Sequence, residues 1–265
     1  MIDKELDFKL RKKFSPEGSK LRVHQKYLVK MLCDFNTICL ENNIKYWLAW
    51  GTCLGAVRHG GFIPWDDDVD VAMMYDDYKR FEKIFKENDC YALQSYKTDK
   101  YYTMTYSKFR DKHSRIKEHG QDNRYKYHGV YIDIFVLRRN PKFLGRVYNI
   151  FCHKLLFWGG TMKSGSLNNT VFSILRGLLF ITIKFSHAIC SIIPNRPLIF
   201  ELGSGDQDKV HNKKDFSKLI LADFEGYQFP IPSGYDHYLT SLYGNYMELP
   251  NLNSINPHVE DVEFF

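Results

Sequence analysis

Residues 66–70 read Asp-Asp-Asp-Val-Asp, four carboxylates in five positions, set among Ile63, Trp65, Val69 and Val71. Like charges at that spacing repel, and packing them beside residues of the buried kind costs stability unless a cation sits among them. The Val-Asp-Val alternation settles the local conformation. Successive side chains of a strand point to opposite faces, so Asp68 and Asp70 project together while Val69 and Val71 enter a core. An acidic helix cap or a solvated turn, the common meaning of a short Asp run, carries no such alternation. Two carboxylates on one strand face make half of a site for a hard divalent metal.

Upstream, residues 44–50 are apolar and aromatic and read as a strand that runs into Gly51-Thr52, with Gly55 close behind. Glycines at such a junction let backbone N–H groups turn toward an anion at a helix start, so a phosphate is expected there. Further on, residues 130–137 read VYIDIFVL, a strand whose one charged residue is Asp133. A lone carboxylate in an apolar strand needs a cationic partner. That partner is either a metal shared with Asp68 and Asp70 or an arginine such as Arg110 or Arg138.

The string GTCLGAVRHGGFIPWDDDVDV at 51–71 resembles the LicD family, the bacterial phosphocholine transferases related to fukutin and fukutin-related protein, within the nucleotidyltransferase-fold superfamily. The similarity extends more loosely to YIDIF at 131–135, DFEGYQFPIP at 223–232 and YLTSLYGNYMELP at 238–250. The resemblance implies an α+β fold, a nucleotidyltransferase-like mixed sheet flanked by helices with a helical C-terminal extension. It makes Asp68, Asp70 and Asp133 a carboxylate triad for Mg2+ (or Mn2+), with Asp133 also the general base. It implies CDP-choline as donor, a sugar hydroxyl of a cell-surface glycan or a lipid-linked sugar as acceptor, and CMP as product.

The chain departs from the family pattern in three places. Val136-Leu137-Arg138-Arg139 follow YIDIF where a proline and an acidic residue are usual, Asn245 stands where aspartate is common, and the tail after Pro250 lacks the usual second proline and downstream arginine. These leave open another phospho-alcohol such as ribitol phosphate, or nucleotidyl transfer to a sugar phosphate. A reading of another class is a glycan-binding protein on a dead transferase fold; loss of a metal carboxylate would be its mark, and all three are present. For donor contacts, Gly51 and Thr52 are expected to cradle phosphates and Arg58, Lys108 and Arg110 to clamp them. Trp65 is a candidate wall for the quaternary ammonium.

With 44% hydrophobic residues the chain can bury a sizeable core, and a net charge of +6 favours anionic partners. No nucleic-acid-binding motif or Lys/Arg-dense helix is present, which argues against nucleic acid. Six cysteines without C-x-x-C spacing read as reduced core thiols, and a charged N-terminus without an apolar run points to the cytoplasm. Residues 1–140 are expected to form the catalytic core and 141–265 a mainly helical part completing the same site.

Helices are expected at 21–41, 76–88, 143–158 and 236–243, and further strands at 69–73, 93–96 and 101–109. Residues 110–128 form a basic loop or lid, 203–215 a surface loop, and the prolines of 229–232 forbid a helix. Residues 171–193 are long and apolar, but Arg176 and Lys184 interrupt them. Ser173, Arg176, Lys184, His187 and Ser191 share a narrow stripe, so this is an amphipathic helix whose wide apolar face is expected against the domain, with peripheral membrane contact the competing arrangement.

Overall fold

The computed structural model describes residues 2–118, 124–161, 165–204, 209–252, 255 and 259–265. Two helices open the chain, α1 (Lys4–Phe14) and α2 (Lys20–Glu41). Helix α2 follows its periodicity: Leu28, Leu32, Phe35 and Cys39 are buried, and Ser19 caps it by accepting the Arg22 N–H at 3.2 Å. Helix α1 is an addition to the sequence expectation, capped by Asp3, which accepts the N–H groups of Glu5 and Leu6.

Then follow β1 (Trp47–Leu48), α3 (Trp50–His59), β2 (Asp70–Met74), α4 (Tyr75–Ile84), β3 (Tyr91–Gln94), β4 (Ser107–Asp111), β5 (Ser114–Glu118) and β6 (Tyr131–Arg139). After two long helices, α5 (Lys142–Thr161) and α6 (Ser166–Cys190), come β7 (Leu198–Phe200), β8 (Leu219–Phe224), β9 (Tyr227–Pro232), α7 (Tyr235–Tyr243) and β10 (Val259–Phe264). The main sheet runs β1-β2-β6-β4-β3, with β2 and β6 parallel and the other pairs antiparallel. Strand β7 takes the length of β6 that lies beyond β4. The fold is thus α+β with a mixed sheet, as the sequence predicts. Its core packs α2 and α4 against β2, β4 and β6 through Phe35, Phe81, Phe109, Val71 and Ile134.

Several boundaries move. The first strand shrinks from 44–50 to two residues, because α3 begins at Trp50 and takes in Gly51 and Thr52. The strand expected over 101–109 begins only at Ser107: Tyr102 and Met104 leave the sheet to pack with Tyr148, Cys152, Phe180 and Ile183 beneath α5 and α6. The basic segment expected as a loop over 110–128 contains β5, which pairs with β10; residues 119–123 lie outside the described residues. So do 205–208 of the expected surface loop and parts of the tail after Pro250. Beyond residue 141 the helices α5, α6 and α7 are accompanied by short strands: β7 joins the main sheet, and β8 and β9 form a hairpin over α3. That hairpin turns at Glu225-Gly226, both left-handed (φ 54 and 85°), the backbone a tight two-residue turn demands.

Helix α6 reverses an expectation. Phe172, Phe180, Ile183 and Cys190 face the protein together with Arg176 and His187 from the polar stripe. Ile174, Leu178, Ile181, Phe185 and Ile189 are exposed on the opposite side. The physical reason lies in the segment beneath. Arg176 donates to the carbonyls of Tyr102 (2.8 Å), Asp99 (2.9 Å) and Tyr96, and His187 meets Glu201 at 2.8 Å. An irregular backbone with carbonyls to satisfy draws the donors inward.

Candidate active site

Strand pairing builds the site. Asp70 on β2 is the register partner of Asp133 on β6, and Asp133 is the partner of Lys108 on β4. Two acids and one lysine therefore stand in a row across three neighbouring strands on one face of the sheet. Lys108 Nζ lies 2.9 and 3.2 Å from the two Asp133 oxygens and 3.2 Å from the centre of the Tyr131 ring, with most of its length buried. The cationic partner that Asp133 requires is Lys108, neither Arg110 nor Arg138.

The loop carrying the remaining acids is held from several sides. His24 Nε2 and Gln25 Nε2 on α2 lie 2.8 Å from the carbonyl oxygens of Asp67 and Asp66. Thr52 Oγ1 accepts the Asp70 N–H at 2.8 Å, and the Asp70 backbone carbonyl in turn accepts the Ala49 N–H. From the hairpin, Glu225 accepts the Phe62 N–H at 3.1 Å and bonds Arg11 (2.9 Å) and Arg22 (2.7 Å). A Cβ at Gly61 would lie 2.3 Å from that carboxylate, so a side chain there would displace Glu225 from the bend before the acids. Burial pushes the Glu225 carboxyl up, but Arg22 and Arg11 outweigh it and hold it below the usual range.

The acids strain against one another. Burial, and then the charges of Asp68, Asp133 and Asp66, push the Asp70 carboxyl well above its ordinary value. Burial followed by the charges of Asp68 and Asp67 does the same to Asp66. Among the described residues no three His, Cys, Asp or Glu side chains lie close enough to form a finished metal-ligand set as they stand. The donor chemistry nevertheless fits a hard divalent cation: hard carboxylate oxygens that repel one another, with Lys108 the cation beside Asp133.

The other sequence candidates separate. Gly51 lies against the Asp66 carboxylate, which an added Cβ would meet at 3.0 Å, so the first turn of α3 faces an acid of this chain. Thr52 is buried and its hydroxyl holds Asp70, a positioning part rather than an open phosphate contact. Arg58 is buried, donating to the carbonyls of Tyr246 (2.8 Å) and Glu248 (3.0 Å) while it attracts Asp66. Arg110 is fully enclosed and spends Nε on Gln94 (2.8 Å) and Nη1 on Gly129 (2.6 Å), so it braces the core instead of clamping a phosphate. Trp65 packs edge-on against Phe14 (5.2 Å) beside His59.

Three features were missed by sequence reasoning. Tyr243, at the end of α7, is 43% exposed, yet its hydroxyl is pushed up by desolvation and then by the charges of Asp70 and Asp66. Tyr238 accepts the Trp50 N–H at 3.2 Å and so holds the start of α3. Beside Asp133 on the same face of β6, Phe135 stacks on Tyr106 (4.6 Å) and meets Trp50 edge-on (4.2 Å). These three rings are partly exposed, unlike the enclosed Phe35 and Phe109 of the core. The alternation Tyr131, Asp133, Phe135 was the available signal.

Residues 43–151 match the family model for the LicD/FKTN/FKRP nucleotidyltransferase domain. The chain is 31% identical over 259 aligned residues to the lipopolysaccharide cholinephosphotransferase LicD of Haemophilus influenzae, an alignment covering 90% of this chain and 95% of that protein. The uncharacterized protein RT0683 of Rickettsia typhi is 45% identical over 60 residues, 23% of this chain and 19% of that one. Human ribitol 5-phosphate transferase FKRP is 46% identical over 41 residues, 16% of this chain and 8% of that protein.

Proposed function

Because the chain belongs to the LicD/FKTN/FKRP family, as its near end-to-end match to a cholinephosphotransferase establishes, we propose that it transfers phosphocholine from CDP-choline to a sugar hydroxyl of a glycan. The observation carrying this reading is the row Asp70, Asp133, Lys108 beside the partly exposed rings of Trp50, Tyr106 and Phe135. A quaternary ammonium binds aromatic faces.

In the proposed reaction the acceptor oxygen forms a bond to the β-phosphorus of the donor. The bridging P–O bond breaks, CMP leaves, and the hydroxyl proton passes to the Asp133 carboxylate. Lys108 Nζ orients that carboxylate, and Thr52 fixes the backbone from which Asp70 projects. The residues that would hold a divalent cation are Asp68, Asp70 and Asp133. Mg2+ or Mn2+ bound there would neutralise the donor phosphates and stabilise the leaving group.

The test is to incubate the protein with magnesium, CDP-choline and a lipopolysaccharide or teichoic-acid acceptor, with CDP-ribitol and CTP in parallel. Stoichiometric CMP with a choline-bearing glycan is the expected result. Transfer from CDP-ribitol alone would move the chain to the ribitol phosphate activity of its shorter match. Pyrophosphate from CTP would overturn the reaction type.

A further inference from the structure

From residue 141 to residue 200 the chain has no Asp or Glu, against seven Lys and Arg. The same stretch forms the α5–α6 hairpin, and its outer side is apolar. On α6, Leu167, Val171, Ile174, Leu178, Ile181, Phe185 and Ile189 are exposed and recur every three or four residues, one stripe along the whole helix. On α5, Phe143, Val147, Ile150 and Phe157 are exposed in the same way, with Arg146 and Lys154 in solvent among them. An apolar groove of about 610 Å³ runs between the two helices, walled by Val147, Phe151, Leu175 and Leu178.

We propose that the α5–α6 hairpin lies in the surface of an anionic lipid bilayer, with its apolar stripe among the acyl chains and its lysines and arginines at the headgroups. Exposed apolar side chains of this extent have to be covered. A second copy of the chain is a poor cover, because a twofold interface would set this acid-free, basic surface against itself. Anionic lipid supplies both missing complements, hydrocarbon for the stripe and negative charge for its rim.

The segment Leu167–Cys190 is long and apolar enough to cross a membrane by length and composition. It lies flat because its inner face is tied to the domain over most of its length. Arg176 holds the carbonyls of Tyr102 and Asp99, Asn169 Oδ1 accepts from Arg124 at 2.9 Å, and His187 meets Glu201. A spanning α6 would have to break every one of these contacts.

The experiment is flotation of the full chain with vesicles of phosphatidylcholine alone or mixed with phosphatidylglycerol. Binding is expected only with the anionic lipid, falling about fivefold for each of Lys142→Glu, Arg146→Glu and Lys154→Glu. Ile181→Asp combined with Phe185→Asp should abolish it while leaving the melting temperature unchanged, since both side chains are already in solvent. Equal binding to both vesicle types, no binding to either, or a dimer in light scattering that the double variant dissolves would each overturn the proposal. Retention of the vesicle-bound chain after an alkaline carbonate wash would replace it with a spanning helix.

Discussion

Replacing Lys108 by Met tests whether the acid row is a cation site held in readiness. Methionine keeps most of the side-chain volume and its packing over Tyr131, so the change removes mainly the charge. What remains is Asp133 beside Asp66, Asp68 and Asp70 without its ammonium partner at 2.9 Å. The pair is nearly buried, with side-chain exposures of 9% and 13%, so the cost is that of breaking a buried pair, about 3 kcal/mol. In a chain of this length that lowers the melting temperature by roughly 6 to 12 °C. A divalent cation bound at the acids would restore it, by about 2.7 kcal/mol at a hundredfold excess over its dissociation constant. The assay is thermal unfolding in EDTA and in a magnesium series at pH 8. A loss below about 1 kcal/mol in EDTA would show the pair behaving like a surface salt bridge and refute the burial argument. A full loss that magnesium does not relieve would refute the cation site.

Asp70→Asn should abolish turnover and, in EDTA at neutral pH, raise stability. The folded state holds this carboxyl above its ordinary value of 3.8, so the native protein loses stability as pH rises through that range, and the neutral amide removes the penalty. Lower stability of the variant at pH 7 in EDTA would contradict the assignment. At the other end of the scale, His211 sits among Phe200, Phe216 and Tyr238, and burial depresses its imidazole from 6.5 to about 4. The unfolded chain then binds a proton that the folded one refuses, so stability is full above pH 6.5 and drains away down to pH 4. His211→Phe should recover at most about 3 kcal/mol of that acid-side loss in urea melts at pH 7 and pH 4.5; an unchanged difference between the two pH values would refute it.

The acids were legible in the sequence because their message is local. Val-Asp-Val fixes which side chains share a face, and Asp133 is conspicuous as the charge within its strand. Lys108 looked like one of several equivalent bases, and its distinction from Arg110 is a matter of register. Both residues point to the Tyr131 side of β4, yet one pairs with Asp133 while the other is closed in by Gln94 and Gly129. Arg58 was misread for a similar reason, since the carbonyls it serves come from residues 246 and 248. For α6, periodicity showed the two stripes without showing which faced inward. That choice lay with the unsatisfied carbonyls of residues 96–102, and no helical wheel contains them.

The distribution of clamps around the acids also explains why the family string alone would not make a site. Four mutually repelling carboxylates on one short loop favour any conformation that spreads them, so an isolated 44–73 segment would not hold them together. The opposing restraints come from both ends of the chain. From the N-terminal side α2 ties the carbonyls of Asp66 and Asp67, and Arg11 and Arg22 bind Glu225. From the C-terminal side the Glu225 hairpin grips Gly60 and Phe62, Tyr238 holds the start of α3, and the carbonyls of 246 and 248 fix Arg58. Each of these bonds ends on backbone or on a side chain that is not one of the acids, so the frame is held without drawing on the carboxylates. Electrostatic catalysis needs charges fixed before the substrate arrives, and a fold that spends its tethers on the frame meets that need.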